Sequence, residues 1–224
     1  MKAGFRIETG GIRAPAELCE QFRGVPTGNV VDALDKISAM HYSIKPVGKD
    51  YTLVGSALTV RVWPGDNLIV NKAIEMSGPG DVLVIDNGEF DGCSVWGDLT
   101  SLMAKNAGAA GMVTNGLVRD LAGIEEAGFP VFARGATPNS SFKRGPGEIG
   151  VPVSCGGISV KSGDIVIGDR DGVVVIPLEL AGETVQRLPA VLENEKAVME
   201  AICRGVTAPG NLALLLERSG YGAE

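Results

Sequence analysis

The 224-residue sequence predicts an α/β fold, on three observations. Short apolar runs alternate with helical patterns as far as Ala133, the signature of a parallel layer covered by helices. After Val151 the pattern turns purely β. From Leu178 to Arg204 a single long helix then follows. A chain of this length buries one good core, so residues 1–224 are expected to form a single domain with its core at about 20–203.

Residues 1–14 carry no periodicity and read as an arm, ordered only where a neighbour holds it. Pro15 stands where helices begin, and Leu18 and Phe22 share one face of a short helix ending at Gly24. Thr27 is placed to N-cap a second helix whose stripe is Val30, Val31 and Leu34. Thr52–Trp63 is β-branched and aliphatic, a strand with Gly55 as its expected bulge. Asp66 can cap the helix Asn67–Met76, and Val82–Ile85 is a strand short and apolar enough to be buried on both faces. The helix at 99–107 is expected to bury Leu99, Leu102 and Met103, with Gly108 as its C-cap. Strand Gly111–Thr114, helix Leu121–Ala127 and strand Pro130–Ala133 complete the alternation. Residues 135–150 read as a long polar loop. Four short β segments follow, separated by turns at Gly156-Gly157, Ser162-Gly163 and Asp171-Gly172, and are expected to pack as a second sheet. The tail 205–224 reads as peripheral.

Composition excludes several function classes. Net charge is −7 with scattered basic residues, so no basic stripe for nucleic acid is present. The four cysteines (19, 93, 155 and 203) share no short spacing, which argues against a zinc knuckle or a redox pair and for free thiols. Neither a signal core nor an 18-residue apolar run occurs, so the expected setting is the cytoplasm, with no membrane partner. His41 is the only histidine, which rules out the His-rich ligand sets of catalytic zinc and leaves no triad around a serine or cysteine. A bound metal would have to be held by carboxylate and water oxygens, favouring Mg²⁺ or Mn²⁺. Gly145–Gly150 matches the G-x-G-x-x-G pattern, but no helix follows it to receive a pyrophosphate, so it is a loop.

The stretch Trp96–Asp120 carries the chemistry. Asp98 opens its helix and Arg119-Asp120 follows its strand, twenty residues later, on the side where α/β sheets bind ligands. Two readings of these residues stand side by side. Both aspartates can be helix N-caps with Arg119 as their salt-bridge partner. Alternatively, a strand-end arginine beside an aspartate supplies an anion site and a cation site together.

The same stretch resembles the D-x20-R-D signature of the class II pyruvate aldolases that act on 4-hydroxy-4-methyl-2-oxoglutarate and 4-carboxy-4-hydroxy-2-oxoadipate, shared with RraA-type regulators of ribonuclease E. The segments P-G-D-N-L (64–68), P-G-D-V-L-V-I-D (79–86), F-A-R-G-A-T-P (132–138), K-R-G-P-G-E (143–148) and D-x-D-G-V-V-V-I-P (169–177) look like the same family. The resemblance implies a three-layer β/β/α swivelling-domain fold with a long C-terminal helix. It implies Asp120 as the protein ligand of Mg²⁺ or Mn²⁺, chelated in turn by a 2-oxo acid substrate. Arg119 would then meet the enolate oxygen, and Asp98 would hold the water that protonates the enolate carbon. Backbone amides at Val95, Trp96 and Gly97 are candidates for the substrate carboxylate. A glutamate from the C-terminal helix of a neighbouring subunit completes the site in such aldolases; here it is Glu195, with Glu193 second. The regulators lack this acid. The resemblance therefore implies a lyase releasing pyruvate from a 4-hydroxy-2-oxo acid, with oxaloacetate decarboxylation alongside, assembled as a homotrimer or hexamer. The alternative it leaves open is an RraA-like regulator that binds protein without catalysis.

Overall fold

The computed structural model describes residues 4–221. Its main sheet is built around β2 (Leu53–Val62), β3 (Asp81–Asp86), β5 (Gly111–Thr114) and β7 (Val131–Ala133), which are parallel to one another. The two-residue β1 (Lys45–Pro46) closes one edge, antiparallel to β7. Helices α3 (Leu68–Met76), α4 (Asp98–Asn106) and α5 (Leu121–Ala127) fall between the parallel strands. A small parallel sheet stands apart, formed by β4 (Ser94–Trp96), β6 (Leu117–Val118) and β8 (Gly135–Ala136) in that order. Two N-terminal helices, α1 (Ala16–Glu20) and α2 (Thr27–Ala33), precede these elements.

Beyond β8 come β9 (Gly147–Ile149), the hairpin β10 (Val153–Cys155) and β11 (Ile158–Val160), then β12 (Ile165–Asp169) and β13 (Gly172–Ile176). These do not form one second sheet as the pattern predicted. β12 pairs antiparallel with β2 and carries β13, so half of the segment extends the main sheet. Only the β10–β11 hairpin forms a separate layer. The chain closes with α6 (Leu178–Cys203) and α7 (Leu212–Arg218).

The alternation along β3 shows why its run is apolar throughout. Leu83 and Ile85 join the core beneath α3, α4 and α5, with Ala73, Ala104 and Ile124. Val82 and Val84 face the opposite way, into the core beneath the hairpin, with Val153 and Cys155. A strand buried on both faces needs apolar side chains at both parities. Each such side chain is worth about 1.5–3 kcal/mol against exposure. A third core packs α2 and α6 against Ile165, Ile167, Val174 and Ile176. The layers are helices, sheet and β-hairpin, the three-layer β/β/α arrangement with its long C-terminal helix.

Several local expectations change. Gly55 makes no bulge, since β2 keeps regular register on both sides. It is a close approach instead: a Cβ there would lie 2.3 Å from the Gly80 carbonyl oxygen. Thr27 is the first helical residue and not the cap, because Asp169 of β12 accepts both its N–H and its Oγ1–H at 2.8 Å. The described part of the N-terminal arm is held by its own chain, through Ile7 beside Ile149 and a bidentate Arg13–Asp81 pair. The polar stretch 135–150 contains β8 and β9, which the loop reading missed. The outer face of α4 also departs from expectation. Leu99, Leu102 and Met103 are exposed at 66%, 45% and 44%, while Thr100, Ser101 and Ala104 are buried.

Candidate active site

The small parallel sheet brings the charged residues together. Trp96 of β4 pairs with Val118 of β6, so the two strands end side by side. Gly97-Asp98 leaves one strand end and Arg119-Asp120 the other. The Arg119 N–H donates to the Trp96 carbonyl oxygen at 3.0 Å, which ties the two exits. Asp98, Arg119 and Asp120 accordingly line one cleft of about 150 Å³. Sites for drug-sized ligands are roughly 300–1,000 Å³, so this one suits a small metabolite.

Polar contacts hold the base of the cleft. Thr100 Oγ1 accepts the Gly97 N–H at 2.9 Å and donates to the Gly97 carbonyl at 2.8 Å. The buried Trp96 indole donates to Ser101 Oγ at 2.7 Å, and Ser101 donates in turn to the Gly97 carbonyl. Phe129 stacks on that indole. The start of α4 is therefore fixed, and its dipole presents a partial positive charge to the cleft. Gly97 is required sterically: a Cβ would lie 2.8 Å from Asp120 Oδ2 and 3.3 Å from Arg119 Cγ.

Asp120 adopts a left-handed backbone conformation, φ 59° and ψ 46°. A non-glycine residue there stores strain, and such strain clusters at functional sites. It occupies the N-cap position of α5, yet its side chain makes no capping hydrogen bond. Its Oδ2 pairs instead with Arg119 Nε at 3.1 Å, both side chains being 41% exposed. Among the described residues Asp120 Oδ1 carries no hydrogen bond. The capping reading thus fails for Asp120. Asp98 is the first residue of α4, and its Oδ1 accepts the adjacent Leu99 N–H at 2.6 Å.

Not every expected residue reaches the cleft. Val95 is fully buried in the core, whereas Trp96 and Gly97 line the cleft. The Gly97 N–H is already engaged by Thr100, which removes it as a free donor. Among the described residues the Asp98 amide carries no hydrogen bond, and it stands at the start of α4. Glu195 lies elsewhere in the same chain, on α6, where Asn29 Nδ2 donates to its Oε2 at 2.5 Å. Glu193, on the same helix, is exposed. Sequence reasoning missed Asn67, Asn71, Ser140, Ser141 and Lys143, which also line the cleft. No spacing rule links them, since they come from α3 and from the segment after β8.

Other chemistries find no support here. Burial, with Asp86 nearby, pushes the Cys155 thiol well above its ordinary range and keeps it protonated. His41 Nδ1 meets Ser43 Oγ, not a nucleophile held with a carboxylate. The Gly145–Gly150 stretch contains β9 where a loop was expected, and no helix follows it. No group of three or more His, Cys, Asp or Glu among the described residues could cage a metal. No helix among them is long and apolar enough to cross a membrane.

Comparison with known proteins agrees with this architecture. The family model described as Aldolase/RraA, RraA-like, matches residues 27–175. A protein of Halalkalibacterium halodurans, provisionally assigned as a 4-hydroxy-4-methyl-2-oxoglutarate aldolase, is 40% identical over 88% of this chain and 93% of its own length. The 4-hydroxy-4-methyl-2-oxoglutarate aldolase of Thermus thermophilus is 32% identical over 67% of this chain and 92% of its own. A solved Thermus structure, described as the RNA-processing inhibitor RraA, superposes with a TM-score of 0.64 at 32% identity, covering 68% of this chain and 93% of the other. On sequence and fold together, the chain belongs to the RraA-like Aldolase/RraA family.

Proposed function

We propose that the protein is a divalent-metal-dependent lyase that cleaves 4-hydroxy-4-methyl-2-oxoglutarate, or a related 4-hydroxy-2-oxo acid, to pyruvate. Oxaloacetate decarboxylation would accompany it, because loss of CO₂ leaves the same enolate. The observation that carries this reading is the meeting of Asp98, Arg119 and a strained Asp120 in one cleft at the start of α4. The aldolase names borne by relatives support it.

The donor set fits Mg²⁺ or Mn²⁺. One carboxylate with a free oxygen, in a cleft without a protein-built cage, suits a hard cation that keeps several waters. Asp120 would hold it, and when bound it supplies Lewis-acid polarisation of the substrate's keto oxygen. The remaining work belongs to the chain. The Asp98 amide and the dipole of α4 receive the 1-carboxylate. As the C3–C4 bond breaks, the C4 hydroxyl passes its proton to water in the cleft and becomes a carbonyl, while the electron pair passes to C3 and the 2-oxygen. Arg119 donates to that oxygen as its charge develops, usually the largest catalytic contribution. Asp98 positions the water that returns a proton to C3.

Glu195 belongs to this proposal as a residue delivered by a neighbouring subunit. Its position on α6, outside its own chain's cleft, is compatible with such exchange. The exposed apolar residues of α4 beside the cleft, together with Leu121, also support a homotrimer or hexamer covering them. The competing reading, an RraA-like regulator acting by protein binding, draws on the solved RraA likeness. One assay separates them: pyruvate release from oxaloacetate and from racemic 4-hydroxy-4-methyl-2-oxoglutarate, with Mg²⁺ and then with EDTA. Metal-dependent release is expected; none from either substrate would leave the regulator reading standing.

A further inference from the structure

Of the charged groups in the cleft, Lys143 alone has no hydrogen bond or ion pair among the described residues. Arg119 Nε is committed to Asp120, and Asp98 accepts the Leu99 amide. The unpaired lysine is mounted on a fixed wall. Ser94 N and Oγ both donate to the Asn139 carbonyl, at 2.9 and 2.8 Å. Phe142 N donates to the Gly65 carbonyl at 2.8 Å, and Asn67 N returns to the Phe142 carbonyl at 2.9 Å. On the other side of Lys143, the Arg144 amide donates to Asp66 Oδ2 at 2.5 Å, from a carboxylate that is only 4% exposed. The Arg144 guanidinium is occupied over the Phe142 ring, 5.0 Å from its centroid. Backbone anchored on both flanks leaves Lys143 only its own side-chain freedom to lose on binding.

We propose that Lys143 is the specificity residue for a second carboxylate, pairing with the far end of a 4-hydroxy-2-oxo diacid whose reacting end lies at Arg119 and Asp120. The inference rests on the aldolase reading. In the chain's own lining two acidic side chains stand against two basic ones, and Arg119 Nε is already paired with Asp120. Lys143 is then the cation left over for a second carboxylate, which a diacid offers and a monoacid lacks.

The chemistry gives the pairing a recognisable signature. When the C3–C4 bond of the diacid breaks, the far carboxylate remains a carboxylate in the product. An ion pair to it is then as strong in the ground state as in the transition state, and acts on KM and not on kcat. In oxaloacetate the far carboxylate departs as CO₂, its bonding pair staying on the pyruvate unit. A cation paired with it stabilises the ground state and slows that departure.

The test compares Lys143→Met and Lys143→Arg with the wild type. For Lys143→Met, KM for 4-hydroxy-4-methyl-2-oxoglutarate is expected to rise about tenfold or more, the worth of one charge-assisted pair. Its kcat should hold, and so should kcat/KM for 4-hydroxy-2-oxopentanoate, which lacks the far carboxylate. Oxaloacetate kcat should hold or rise, and Lys143→Arg should restore most of the diacid affinity. Calorimetry with 2-oxoglutarate and 2-oxopentanoate reads the same preference without turnover. Equal losses on diacid and monoacid, or an unchanged diacid KM, would overturn the proposal. A wild type that cleaves neither substrate, yet prefers 2-oxoglutarate through Lys143, would sink the aldolase reading while upholding the role of Lys143.

Discussion

Asp120 shows how one residue joins backbone strain to charge. Its left-handed conformation places the carboxylate beside Arg119 and over Gly97, where only a missing Cβ leaves room. Gly97→Ala is therefore expected to push Asp120 Oδ2 aside and lower kcat/KM about tenfold, with unfolding free energy changed by less than about 1 kcal/mol. Steady-state kinetics beside urea unfolding checks both halves. If Arg119 donates to the developing enolate as proposed, Arg119→Ala should lower kcat by about 10²–10³ and leave the state of assembly seen in light scattering unchanged. An active Arg119→Ala protein would contradict that role. Asp98, Arg119 and Asp120 were legible because a fixed spacing joins them. The rest of the lining was not, because Asn67, Asn71 and Lys143 are polar residues that any solvated helix or loop could carry.

Among the elements, the helices and parallel strands of the first half were readable from periodicity; Asn67 holds the N-cap position of α3 expected of Asp66, whose Oδ1 still accepts the Leu68 N–H at 2.8 Å. The two- and three-residue strands were not. β4, β6 and β8 are too short to show a period, yet the ends of β4 and β6 bring Asp98, Arg119 and Asp120 into the cleft. The face of α4 was misread for a different reason. Its apolar residues satisfy the pattern of a core stripe but lie outward, where a second copy rather than the core would have to meet them. Asp164 ties two elements, accepting the Lys161 N–H in the turn before β12 and the Leu178 N–H that starts α6. Asp164→Ala strands both donors and should cost about 1–3 kcal/mol in chemical denaturation. Burial raises this carboxyl above its ordinary range. The native state then binds the proton more tightly than the unfolded chain, so this residue's contribution to stability falls as pH rises from the ordinary carboxylate value through the raised one. Denaturation curves of wild type and Asp164→Asn across that window should converge towards its acid end.

Taken together, the described residues bury three apolar cores and still expose Leu99, Leu102, Met103 and Leu121 around α4 and α5, and Val198, Met199, Ile202 and leucines of α7 towards the C-terminus. Subunit association would answer both exposures. Leu102→Glu, a site outside the cleft lining, is expected to shift light scattering towards the monomer and to reduce activity with it. An intact oligomer in that variant would place the interface elsewhere. The proposal as a whole turns on formation of a pyruvate enolate in the cleft of Asp98, Arg119 and Asp120. Proton NMR of pyruvate in D₂O reads this directly, as exchange of the methyl protons. Exchange should be rapid with wild-type protein and Mg²⁺, and should vanish in EDTA and in Arg119→Ala. No exchange by the metal-loaded wild type, or full exchange in Arg119→Ala, would contradict the assignment.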